Sequence, residues 1–77
     1  MTNKIHNIEK LIPGEIYSLY DHCATVFPGF NNIIFLFDDK EHNQLSFYNI
    51  ENNTETLVVR STLISFLKTK NYFAKVS

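Results

Sequence analysis

Apolar residues fall along this 77-residue chain in short clusters, and the spacing inside the clusters changes twice. Before Pro13, Ile5, Ile8, Leu11 and Ile12 recur at intervals of three and four. That spacing predicts a short amphipathic helix capped by Thr2 or Asn3. Pro13 would end it, because the residue before a proline avoids the helical region. From Glu15 onward the pattern is that of strands. Ile16 to Tyr20 reads as one strand and Ala24 to Phe27 as a weaker one, closed by Pro28-Gly29. Ile33 to Phe37 is a continuous run of β-branched and aromatic residues, which predicts a central strand buried on both faces. Gln44 to Ile50 alternates, with Leu45 and Phe47 on one face and Ser46 and Tyr48 on the other. Glu51 to Thr54 makes a hairpin turn into Thr56 to Arg60, where Leu57 and Val59 share a face.

The period then returns to that of a helix. Ser61 is placed to cap it, and Leu63, Ile64 and Leu67, with Phe66 beside them, form its apolar stripe. Lys68 and Lys70 fall where cations suit the negative end of the helix dipole, and Asn71 can end the helix. Tyr72 to Val76 reads as a last short strand. Leaving the weaker Ala24 to Phe27 segment aside, the expected order is helix, four strands, helix, strand: a mainly β fold with short helices (α+β). The sheet is expected to be small, antiparallel and strongly bent, or closed as an SH3-like barrel, with a helix before the last strand. The segment Leu11-Ile12-Pro13-Gly14-Glu15-Ile16-Tyr17 resembles the opening of SH3-like small barrels, where a similar turn leads into the first strand. That resemblance is one of architecture. The rival arrangement is an open α+β sheet packed on both helices.

Composition narrows the picture. The length suits a single domain, residues 1–77, which buries only about 60% of its unfolded surface and is marginally stable for that reason. Cys23 is the only cysteine, so no disulfide supports the fold and a reducing compartment is expected. Seven Phe and four Tyr supply the core instead, each ring able to remove roughly 150–250 Å² from water. The opening residues carry one positive charge and no apolar run, and the longest apolar stretch is Ile33 to Phe37. A cytoplasmic protein with no membrane partner is therefore expected. Nine Asn with few Gly and Arg match an AT-rich coding sequence, as in phages, mobile elements and low-GC bacteria.

The formal net charge is −1, but the charges segregate. Residues 38 to 59 balance at −4, whereas Arg60, Lys68, Lys70 and Lys75 give the last eighteen residues +4. A basic end of this kind suits an acidic partner.

Groups with catalytic or ligand chemistry are sparse. In Asp21-His22-Cys23, neighbours on a strand would point to opposite faces, so His22 could not activate the thiol. Cys23 is expected to be buried and inert beside Ala24 and Val26. Asp38-Asp39-Lys40-Glu41-His42 lacks the spacing of a calcium loop or a zinc site and reads as a polar turn. With only Gly14 and Gly29, the chain offers no phosphate-cradling loop. Asn52-Asn53-Thr54 matches a glycosylation triplet without consequence inside a cell. No enzyme activity and no cofactor or metal are expected.

The expected function is a small binding module that docks on a protein partner, of the accessory or inhibitor kind that phages carry. The candidate contact residues are Arg60, Lys68, Lys70, Tyr72 and Lys75, with Tyr72 partly exposed. The alternative is nucleic-acid binding by the segment Lys68 to Phe73, which interleaves bases and rings. Self-association is compatible with either.

Overall fold

The computed structural model describes residues 4–76. The chain is mainly antiparallel sheet with one short α-helix before the last strand. Strands β1 (Lys4–Ile5), β2 (Ile16–Tyr20), β3 (Ile33–Asp39), β4 (Gln44–Asn49), β5 (Thr54–Val59) and β6 (Tyr72–Lys75) form one sheet in the order β1-β6-β2-β3-β4-β5. Helix α1 (Arg60–Leu67) links β5 to β6. The two ends of the sheet, β1 and β5, do not pair with each other, so the sheet is open among the described residues.

The helix expected before Pro13 does not form there. Ile5 pairs with Phe73 in β1, and only Ile8–Lys10 coil, as a single 3-10 turn. Asn7 caps this turn by accepting the Glu9 N–H at 3.0 Å. A helix this short pays its nucleation cost for few hydrogen bonds, and sheet pairing offers the backbone a better partner. Thr2 and Asn3, expected as caps, lie outside the described residues.

Both Pro-Gly pairs make the same turn. The Glu15 N–H bonds the Ile12 carbonyl at 3.1 Å, and the Phe30 N–H bonds the Phe27 carbonyl at 3.0 Å. Each glycine sits at the third turn position with positive φ, +90° at Gly14 and +82° at Gly29. That is a type II turn, with proline fixing the second position and glycine required at the third.

Strands β2 and β3 pair only at Ile16–Ile34 and Tyr17–Ile33, then part. Ser18 holds the split: its hydroxyl donates to Asn31 Oδ1 at 2.9 Å and accepts the Asn32 N–H at 3.0 Å. Beyond it the loop from Asp21 to Asn32 folds back on β2. The Leu19 N–H reaches the Phe30 carbonyl, and the Phe27 N–H reaches the Leu19 carbonyl. Ala24 to Phe27 is thus a loop and not the weak strand expected; only Val26 bridges to Tyr20.

The core lies between the concave face of the sheet and α1. Phe47 is fully buried, with Phe35 at 5.5 Å and Phe73 at 5.7 Å between ring centres. Leu63 and Leu67 close it from the helix, and Ile8 and Leu11 from the 3-10 turn. The expectation that β3 is buried on both faces is wrong. Ile33 and Phe35 face the core, Ile34 and Leu36 are half-buried, and Phe37 is 50% exposed. A register shift between Phe35 and Phe37 explains this. It inserts Leu36 as a β-bulge and turns every later residue to the opposite face. Phe37 therefore points outward opposite Ser46, and Asp38 points inward opposite Leu45.

The same alternation corrects the reading of β5. Leu57 and Val59 do share a face, but it is the outer one, where both are more than half exposed; Thr56 and Val58 face inward. Helix α1 starts one residue before the expected cap. Val59 holds the N-cap position without a side-chain bond, and Ser61 lies inside the first turn, where its hydroxyl accepts from Asn43 at 3.3 Å. The helix ends at Leu67 with Lys68 as its C-cap, short of the expected end at Asn71, so Lys68 and Lys70 lie beyond its last turn. Asn71 closes the following turn by donating to the Phe66 carbonyl at 3.2 Å and to Thr69 Oγ1 at 2.8 Å.

Candidate functional site: an aromatic cleft beside the helix

Where β2 and β3 part, the sheet leaves a gap that neither strand fills. The Phe27-Pro28-Gly29-Phe30 turn forms one wall, Val58 of β5 the second, and Thr62, Leu63 and Phe66 of α1 the third, with Leu19 as floor. The result is an open cleft of about 220 Å³. Its lining is apolar except for the Thr62 hydroxyl at the rim. Phe27 meets Phe66 edge-on, 4.9 Å between centres, which fixes both rings.

The turn wall is anchored from behind by Asn49, which is buried at the end of β4. Its side-chain N–H donates to the Gly29 carbonyl at 3.1 Å, while its Oδ1 accepts the Glu51 and Asn52 N–H groups at 2.9 and 3.3 Å. One side chain thus ties the β4–β5 turn to the cleft wall. Such a polar group persists in the interior because both its polar atoms have partners.

The basic end is dispersed. Arg60 Nε donates to Asp38 Oδ1 at 2.9 Å, a pair made on the inner face by the β3 bulge that turned Asp38 inward. Lys75 lies 3.4 Å from Glu15 at the far end of β6. Arg60 and Lys68 stand at opposite ends of α1, about 12 Å apart along its axis. Tyr72, expected to be partly exposed, is buried at 6%. It belongs to β6, an interior strand of the sheet, where it stacks on Tyr20 at 5.5 Å and is covered by the Lys4 ammonium, 4.7 Å from the ring centre. Phe73 is fully buried, so neither ring of this segment presents a face to a base. Lys68 and Lys70 remain exposed in the turn after Phe66.

The other clusters are local structure. Asp21 accepts the Cys23 and Thr25 N–H groups at 2.9 and 3.0 Å and holds its loop closed. Cys23 is exposed, not buried as expected, because this loop lies on the surface and leaves no core position for it. Asp39 pairs with His42 at 2.9 Å. Partial removal from water pushes the Asp39 carboxyl up, but hydrogen bonds from the His42 side chain and backbone, with its charge and Gln44, outweigh this and hold it below 3.8. Among the described residues no three His, Cys, Asp or Glu side chains gather as metal ligands, and no helix is long and apolar enough to cross a membrane.

No protein-family model matches the chain, and neither the curated proteins nor the solved structures provide a match.

Proposed function

We propose that this protein is a small binding module, without catalytic function, that docks on another protein by taking one of its apolar side chains into the aromatic cleft. The observation that carries this reading is the cleft itself, rimmed by Phe27, Phe30 and Phe66 and fixed by Asn49. Its 220 Å³ falls short of the roughly 300–1,000 Å³ usual for small-molecule sites and suits a single anchoring side chain. Rigid aromatic pockets of this kind hold the residues that dominate protein interfaces. Lys68 and Lys70, exposed beyond the end of α1, favour a partner with an acidic surface. The strand succession and the helix before the last strand support reading the fold as an SH3-like barrel left open between β1 and β5. The composition supports an accessory or inhibitor role in a phage or mobile element, acting in the cytoplasm.

A photo-crosslinking residue placed at Thr62, on the cleft rim, tests the reading in the native host. It should capture one protein, in a nuclease-resistant adduct, that a crosslinker at Glu41 does not capture. Equal capture from both positions would refute docking at the cleft. Adducts lost on nuclease treatment would replace the protein partner with nucleic acid.

A further inference from the structure

The second unsatisfied surface is the outer edge of β5. The Arg60 N–H donates to the Asn43 carbonyl at 2.8 Å, continuing the β4–β5 register by one pair. Antiparallel strands alternate, so Thr54, Thr56 and Val58 turn their backbone groups toward β4. The N–H groups of Glu55, Leu57 and Val59 and the C=O groups of Glu55 and Leu57 then face outward, five groups in all, with no strand beside them among the described residues; the Val59 carbonyl, at the N-cap, belongs to the first turn of α1. On the outer face, Phe37, Ser46 and Leu57 stand in one row across β3, β4 and β5. Phe37 is 50% exposed, Leu57 56% and Val59 52%, while Ser46 is buried between its neighbours and donates to Glu55. A strand of six residues with such an edge is a template for another strand.

We propose that two copies of this chain pair through β5, antiparallel and centred on Leu57, to form one continuous sheet. The occupant follows from self-complementarity. A two-fold axis normal to the sheet keeps outer faces together, so only registers that join outer residues to outer residues are allowed. Centring on Leu57 sets Leu57 against Leu57 and Glu55 against Val59, twice. Four of the five outward groups of each strand then pair directly, the Glu55 N–H facing the Val59 carbonyl that also starts α1, and no acid meets an acid. Centring on Glu55 would oppose two carboxylates, centring on Thr56 would set Val59 against the turn residue Asn53, and centring on Val59 would run each strand into the other copy's helix. In the Leu57 register the row Phe37-Ser46-Leu57 continues directly into Leu57-Ser46-Phe37 of the second copy. The pairing joins the two outer apolar faces into one continuous face and leaves both clefts open, so it stands independently of the docking reading.

Sedimentation equilibrium from low micromolar to millimolar protein, with hydrogen exchange at each concentration, tests this. The mass should rise from 9.0 kDa toward twice that value. Glu55, Leu57 and Val59 amides should become protected with it, whereas Thr56 and Val58 amides stay protected throughout. Leu57→Lys sets two ammonium groups face to face and should hold the mass at 9.0 kDa, and Phe66→Ala should leave association unchanged. A mass fixed at 9.0 kDa across the range overturns the proposal. So does a dimer in which Glu55, Leu57 and Val59 exchange freely, a result that decides the matter even if Leu57→Lys fails to fold.

Discussion

Replacing Asn49 with alanine removes three hydrogen bonds from the interior and leaves the Gly29 carbonyl and two turn N–H groups without partners. Each such bond contributes about 1 kcal/mol net, and three of them are lost, so Asn49→Ala should cost about 2–4 kcal/mol. A domain of this size has roughly 5–10 kcal/mol in total. At about 4–8 °C per kcal/mol, the melting temperature should fall by about 8–32 °C. Asn52 is the internal control. It lies in the same turn but is exposed, and its side chain engages only Thr54. Asn52→Ala should therefore stay within about 0.5 kcal/mol of the parent. Thermal melts followed by circular dichroism compare the two directly. Equal melting temperatures for both variants would refute the claim that Asn49 anchors the β4–β5 turn and, through Gly29, the cleft wall.

Three further outcomes follow from the geometry. A thiol reagent at neutral pH should label Cys23 in the native protein about as fast as in the unfolded chain, since the residue is exposed; strong protection would contradict the loop. The Asp39 carboxyl, held low by His42, contributes stability that is full above the ordinary carboxylate range near 3.8 and fades as pH falls below it. His42→Ala should move the Asp39 midpoint upward in an NMR titration, and the two proteins should converge in stability at strongly acid pH; an unmoved midpoint would contradict the pairing. Reversing Lys68 and Lys70 to Glu should slow association with an acidic partner and flatten its salt dependence without changing the fold. Unchanged salt dependence would show that the partner approaches from another side.

Strands β2 to β5, helix α1 and β6 were legible in the sequence because each carries a hydrophobic period bounded by Pro-Gly, Asn or charged turns. The β3 bulge was not. Leu36 and Phe37 are both apolar, so slipping the face by one residue leaves no trace in the pattern, although it exposes Phe37 and brings Asp38 to Arg60. The spacing of Ile5, Ile8 and Leu11 fits a helix, but equally a strand followed by one 3-10 turn, and pairing with β6 decides between them. The burial of Tyr72 is not legible because the run before it, Lys68 to Asn71, is polar, whereas its spatial neighbours on β1 and β2 bury it. Of the cleft, the bracketing of Pro28-Gly29 by Phe27 and Phe30 was visible, as was Phe66 on the helix stripe. Their meeting, and the role of Asn49 behind them, depend on the split between β2 and β3, which local pattern does not encode.

The proposed docking places a side chain of a protein partner in the cleft, and Phe66 is its most sensitive probe. Phe66 is half-buried against Phe27, so Phe66→Ala empties one wall while Leu63 and Leu67 still hold the helix to the core. Calorimetric titration of the Thr62-captured partner into wild type and into folded Phe66→Ala measures the effect. A hot-spot contribution of about 2 kcal/mol or more predicts at least ~30-fold weaker binding by the variant. Equal affinity for the two proteins would contradict the claim.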